Sequence, residues 1–80
     1  MAFKNHFGDI VNTFVEWLDD EHQYSLHYVI NRHDIEMYAI YDEKNMFECG
    51  SCYADDKDNL VAWAKESIPH WKEKEREYGE

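Results

Sequence analysis

The stretch Cys49-Gly50-Ser51-Cys52 is the one short motif of the chain that has a chemical precedent. Two cysteines at this spacing can form a redox pair or supply half of a zinc site. A redox pair normally begins a helix, where the dipole lowers the thiol pKa, but this motif falls within a predicted strand. A zinc site needs four ligands, and one cysteine pair supplies only two. We therefore expect two packed cysteines and no metal or other cofactor. A small metal or redox protein built on Cys49 and Cys52 is the alternative.

Histidine is the other residue type that could support catalysis. The chain shows no serine in a tight strand-to-helix turn and no glycine-rich phosphate loop that a histidine could serve. The pattern predicts surface histidines, and we expect that the chain is not an enzyme. The histidines, which are scattered over every predicted element, are His6, His22, His27, His33 and His70.

Carboxylates are the most abundant functional groups in the sequence. Eighteen Asp and Glu oppose eight Lys and Arg, and residues 1–60 hold thirteen of the acids but only four of the bases. Such a charge repels nucleic acid and anionic membranes, so the chain is expected to bind neither directly. The expected partner is a basic protein.

The sequence contains two acidic clusters, and a position beside a predicted helix explains only one of them. The acids within 55–58 precede a predicted helix, where the dipole stabilises carboxylates. The run Asp19-Asp20-Glu21 follows another predicted helix, where each negative charge costs about 0.3–1 kcal/mol. Helix stability does not explain this second run. We predict that it belongs to a binding surface; a solvated helix end selected only for solubility is the alternative.

Hydrophobic spacing predicts the elements that carry these groups. Apolar residues recur every three or four positions over residues 3–18, which indicates an amphipathic helix. A period of two predicts strands over 24–31 and 35–42, and a less regular strand over 46–53 carries Gly50, which suggests a bulge.

Helical spacing returns after residue 58, and Pro69 is expected to kink or break this second helix. The predicted fold class is α+β, in the order helix, three-stranded antiparallel meander, helix (αβββα). Both helices are expected on one face of the sheet.

The other face of the sheet is predicted to be open. A register with Leu26 and Tyr41 toward the helices leaves carboxylates and aromatic groups on this face, a mixture typical of interfaces. An ordinary solvated face is the alternative, because a strand register is easily shifted by one residue. The candidate partner-binding residues are therefore Asp19, Asp20, Glu21, Glu36, Tyr38, Asp42, Glu43 and Glu48.

Length and composition predict one domain over residues 1–80. A chain of this size has room for a single core, and its 16% of aromatic residues can supply one. No signal-peptide pattern and no apolar run of about 20 residues is present, and one close cysteine pair is not a secreted disulfide framework. We expect a cytoplasmic protein, monomeric in the favoured interpretation; an assembly subunit is an alternative.

The predicted element order resembles that of double-stranded RNA-binding domains. Those domains hold phosphate with lysines that open the second helix, whereas this chain has the acidic run Ala54-Asp55-Asp56-Lys57-Asp58-Asn59 there. Length, element order and charge also resemble small phage-encoded inhibitors, notably anti-CRISPR proteins and other DNA mimics. That resemblance implies an inhibitor that occupies a basic surface of a nucleic-acid-binding effector complex or nuclease. Toxin immunity proteins share the size and acidity and imply a similar partner.

Overall fold

The first described element is a strand, although the sequence predicted a helix. The computed structural model describes residues 11–78. Its elements are β1 (Val11–Trp17), β2 (Tyr24–Ile30), β3 (Glu36–Asp42), β4 (Phe47–Tyr53), a 3-10 turn (Ala54–Asp56) and α1 (Lys57–Tyr78). The strands form one antiparallel sheet in the order β1-β2-β3-β4. The predicted αβββα order is therefore wrong, since four strands precede one helix within residues 11–78.

The residues of β1 explain why this segment is extended. Val11–Trp17 contains β-branched and aromatic residues, which fit a pleated surface, and its pairing covers an edge of β2. A bulge at Val15 places Phe14 and Trp17 on the same face, with their ring centroids 5.2 Å apart. Apolar residues three positions apart, such as Phe14 and Trp17, are thus compatible with this bulged strand as well as with a helix. The rest of the predicted first helix, residues 3–10, lies outside the described residues.

The three strands that the sequence predicted are confirmed as β2, β3 and β4. The irregularity predicted at Gly50 is also present, because Gly50 pairs with Ile40 while Glu48 pairs with Tyr41, which leaves Cys49 as the extra residue of a bulge.

The predicted register of β3 is wrong by one residue. Ile40 lies opposite Leu26 and packs toward α1, while Ala39 and Tyr41 pack with Val29 on the other face. Both faces of β3 are apolar, so alternation alone could not orient the strand. The face away from α1 is buried along β2 and β3 and is not the predicted open face. The core beneath α1 consists of Leu18, Tyr24, Leu26, Ile40, Leu60, Ala64 and Ile68.

The helix α1 continues through Pro69, so the predicted break is wrong. Proline removes the hydrogen bond to the carbonyl of Lys65, but both residues are exposed and water can reach that carbonyl. Ile68 and Trp71, on either side of the proline, pack against the sheet and hold both halves of the helix in place. Within residues 11–78, no helix is both long and apolar enough to cross a membrane.

Candidate functional site

One end of the sheet carries most of the predicted binding residues. The connections at residues 18–23 and 43–46 both lie at this end, because Tyr24 pairs with Asp42 there, and we call it the loop end. The second half of α1 reaches the loop end, where Lys72 donates a 2.7 Å hydrogen bond to Asp19 Oδ2 and a further bond to Glu21. The acidic run 19–21 therefore has a structural role that the sequence did not indicate.

Asp19 also closes the β1–β2 connection. Its Oδ1 accepts hydrogen bonds from the backbone N–H groups of Gln23 at 3.0 Å and Tyr24 at 2.9 Å. Burial raises the pKa of this carboxyl, but the bonds from Lys72 and from the two backbone N–H groups outweigh burial, and the pKa lies below its ordinary value. Asp19 is consequently an ionised structural carboxylate.

A second carboxylate network joins the β3–β4 connection to α1. Asp42 accepts bonds from the backbone N–H groups of Lys44 and Asn45 and from the side-chain amides of Asn45 and Gln23. The same two amides also donate to Glu75, which accepts a 2.6 Å bond from Lys44 Nζ. Hydrogen bonds from Lys44, Gln23 and Asn45 lower the pKa of Glu75 to about 2, so it is ionised at neutral pH.

The side chains of Lys44 and Lys72, the two lysines at the loop end, differ in solvent exposure, and this difference gives a testable prediction. Lys72→Met should destabilise the fold by about 1.5–3 kcal/mol, because Asp19, whose side chain is 6% exposed, would lose its charged donor. Lys44→Met is the matched control; its side chain is 64% exposed, and the expected loss is below about 1 kcal/mol. Urea unfolding measures both variants, and equal losses would contradict the structural role of Lys72.

The remaining predicted residues are not brought together in one surface. Asp20 is exposed at the loop end, and Glu43 Oε2 lies 4.0 Å from His27 Nε2. Glu36, at the opposite end of β3, accepts a 2.7 Å bond from the Tyr28 hydroxyl.

Tyr38 is placed on the wrong face by the predicted register. It packs against the core beneath α1, and Lys57 Nζ lies 5.4 Å from its ring centroid. Its position beneath the helix follows from pairing with Tyr28 on the helix side of the sheet.

A groove beside the loop end is the feature that sequence reasoning missed. It has a volume of about 460 Å³, within the range of ligand pockets, and lies between β4 and α1. Its aromatic walls are Phe47, Trp63 and Trp71, and we call it the aromatic groove. The ring centroids of Trp63 and Trp71 lie 5.3 Å apart and the planes of the two indoles meet at 70°, so the rings form adjacent walls of the groove. Phe47 is 51% exposed and Trp63 is 45% exposed, which leaves large apolar surfaces accessible.

Charge surrounds this apolar surface. Glu48, Asp42 and Glu75 line the groove together with one cation, Lys74. Acidic residues therefore outnumber basic residues in the lining of the groove. Two of the three acidic residues, Asp42 and Glu48, were predicted to bind a partner. Of the predicted residues at the loop end, these two also line the aromatic groove.

Gly50 allows the Trp63 wall to approach β4. A Cβ at this position would lie 3.0 Å from Trp63 Cζ3 and 3.2 Å from Cη2, closer than side chains normally tolerate. A glycine within a strand is a recognised signal of close approach by another group. The sequence contains this signal, but the predicted bulge accounts for Gly50 without it.

The two cysteines lie beside the groove and pack against the core. Both are free thiols and half-buried. Burial, with help from Asp42, raises the pKa of Cys49 to about 12, and burial also raises the pKa of Cys52. Redox and metal-binding cysteines need the thiolate, so both shifts run against that chemistry. Among residues 11–78, no group of three or more His, Cys, Asp or Glu is placed to hold a metal ion.

A buried polar chain on the other face has the order of a catalytic triad. Ser25 Oγ lies 3.0 Å from His27 Nε2, and His27 Nδ1 lies 2.5 Å from Asn12 Oδ1. Burial lowers the pKa of His27, although Glu43 opposes the shift, so the ring is neutral at pH 7. Ser25 is 0% exposed, however, so a substrate cannot reach its hydroxyl. These hydrogen bonds satisfy polar groups that would otherwise be buried without a partner. His27 was predicted to lie at the surface, and that prediction is wrong because the residue is buried.

Comparisons of this chain with protein-family models, curated proteins and solved structures found no match.

Proposed function

We propose that the chain is a non-enzymatic inhibitor that binds a basic, nucleic-acid-binding surface of a larger protein, in the manner of anti-CRISPR or anti-restriction proteins. The observation that carries this proposal is the aromatic groove, where accessible Trp63 and Phe47 side chains lie beside Glu48. Aromatic anchors with a polar rim are typical of protein interfaces.

The charge of the chain supports a basic partner. The formal net charge is −10, and ion pairs within the fold do not change it. Of the predicted residues, Asp19 and Glu21 form ion pairs with Lys72, so the residues that attract a partner are a subset of those predicted. Asp20 and Glu48 are the carboxylates at the loop end and groove that we assign to attraction, because Asp20 is exposed and Glu48 lines the groove.

Competition with DNA tests this function. The full chain is immobilised, exposed to a bacterial lysate, and then washed with duplex DNA or with increasing salt. Bound proteins should be released by DNA, and retention should fall between 0.1 and 1 M salt, as the Debye length shortens from about 10 to about 3 Å. A partner purified from this fraction should lose DNA binding when the chain is added.

Charge reversal supplies the matched control. Asp20→Lys with Glu48→Lys should weaken retention, whereas Glu66→Lys, at an exposed position of α1, should change it little. Retention that survives 1 M salt and is not displaced by DNA would overturn the proposed mode of inhibition. A captured toxin whose binding is insensitive to DNA would instead indicate the immunity role.

A further inference from the structure

We propose that the aromatic groove binds a small free cation that carries a quaternary ammonium group, such as choline. This inference goes beyond the proposed function and does not depend on it. A quaternary ammonium is attracted to the faces of aromatic rings, and it has no N–H group that requires a hydrogen-bond acceptor. The groove combines aromatic walls with negative charge, while the acceptors in its wall are already used.

The sheet places a buried carboxylate between two aromatic residues of the groove. Tyr24, Asp42 and Phe47 are paired directly across β2, β3 and β4 at the loop end, so their side chains share one face of the sheet. That face is the one beneath α1, because Tyr24 belongs to the core there. Asp42 is 1% exposed whereas Phe47 is 51% exposed, so the charge lies within the wall and the ring is accessible.

The helix α1 places two indoles over this row of residues. Trp63 and Trp71 bound the groove on adjacent sides, with ring centroids 5.3 Å apart. Tyr24 lies 5.4 Å from Trp71 between ring centroids and supports that wall from the core. Together with Phe47 the two indoles surround the groove with three rings, and aromatic cages hold methylated ammonium groups in this way.

Two groups in the groove wall respond to negative charge. Burial first, and then the charges of Asp42 and Glu48, raise the pKa of the Cys49 thiol to about 12. Burial and then Asp42 also raise the pKa of the Tyr24 hydroxyl. None of the ion pairs found within residues 11–78 includes Asp42, so no cation in contact balances its charge. Lys74 also lines the groove, but its side chain is exposed. This environment favours a cation over a neutral ligand.

The occupied acceptors determine which type of cation fits. Asp42 and Glu75 accept hydrogen bonds from backbone and side-chain donors of the loop end. Glu48 pairs with Tyr41, which packs on the face of the sheet away from α1. A primary ammonium or a guanidinium would enter the groove without acceptors for its N–H groups, which costs free energy. A quaternary ammonium has no such groups, so the negative wall attracts it without a hydrogen bond.

The test compares choline chloride with dimethylbutanol, its neutral carbon isostere, and with ethanolamine, which carries a primary ammonium. Sodium chloride at the same concentration controls for ionic strength. Titration of choline into the full ¹⁵N-labelled chain should shift the indole N–H signals of Trp63 and Trp71, but not that of Trp17 on β1, the internal control. Choline should bind about ten-fold more tightly than either of the other two compounds.

Variants separate the contribution of the rings from that of the charge. Trp63→Leu should weaken choline binding by about three- to ten-fold, as read from Trp71, and should change dimethylbutanol binding little. Trp63→Phe should weaken choline binding less. Asp42→Asn should weaken it by about three-fold through the lost charge, and Glu75→Gln tests the same effect at a second carboxylate of the lining. Glu66→Gln, at an exposed position of α1 that does not line the groove, is the matched control.

Three outcomes would overturn the inference. Equal binding of choline and dimethylbutanol would show that the groove accepts an apolar group and not a cation. Binding of ethanolamine as tight as that of choline would show an ordinary ion pair with a carboxylate. Shifts at Trp17 as large as those at Trp63 would show non-specific association with an acidic protein.

Glycerophosphocholine distinguishes a free cation from a lipid headgroup as the source of the ammonium group. Its phosphate should be repelled by the acidic lining, so it should bind more weakly than choline. Tighter binding of glycerophosphocholine than of choline would contradict a site for a free cation.

Discussion

Asp42→Ala is expected to destabilise the fold by about 3 kcal/mol, which makes it the most damaging of the loop-end substitutions. Asp42 is 1% exposed and accepts bonds from two backbone and two side-chain donors. Removing the carboxylate leaves the backbone N–H groups of Lys44 and Asn45 without their acceptor and opens the turn between β3 and β4. Urea unfolding should show a lower midpoint with an unchanged slope.

Two further variants separate the contributions at this turn. Asp42→Asn can keep an oxygen for the backbone donors of Lys44 and Asn45, but its amide faces other amide donors, so its loss should be intermediate. Glu43→Ala, one residue later, should cost less than about 0.5 kcal/mol. If Asp42→Ala and Glu43→Ala were equally mild, Asp42 would have no structural role at this turn and would be an accessible carboxylate, the position that the sequence predicted.

Alkylation of Cys49 at pH 8 is expected to be about 1000-fold slower in the folded chain than in the unfolded chain. The pKa of Cys49 is raised from 9.0 to about 12, and each unit reduces the reactive thiolate about ten-fold. Iodoacetamide labelling followed by mass spectrometry measures the rates with and without denaturant.

Cys52 is the matched thiol in the same strand. Burial raises its pKa too, but it should react faster than Cys49, and single Cys→Ser variants assign the two phases. Rapid labelling of Cys49 in the folded chain would contradict its packing against the core and would favour the alternative of a redox protein built on Cys49 and Cys52. Slow labelling would exclude a poised thiolate at this position.

The sequence predicted β2, β3, β4 and α1 because their residues carry a clear local period. It failed at β1, since Val11, Phe14 and Trp17 fit both a helix and a bulged strand, and only pairing with β2 decides between them. It failed on the faces of β3 because Ile40 and Tyr41 are both fully buried and hence indistinguishable by polarity.

The site was only partly predictable for a related reason. The sequence named Asp20, Asp42 and Glu48 as candidates on a helix end and an open sheet face, and the structure places all three at the loop end. The partners of Asp19, however, include Lys72, 53 residues away, and no local pattern can reveal a contact at that separation. Trp63 lies in the apolar helical spacing of α1, which by itself indicates a buried residue, although nearly half of its surface is accessible.

The consecutive strand order has a consequence for folding. Each strand pairs with its neighbour in the chain, so the sheet forms by closing short loops, whose entropic cost is low. The bonds from Lys72 to Asp19 and from Gln23 to Glu75 instead span more than fifty residues and require a helix docked on a finished sheet. The aromatic groove, which α1 shares with β4, therefore exists only after this last step. A ligand in the groove must bind the native state alone, and saturating it should raise the melting temperature of the whole domain.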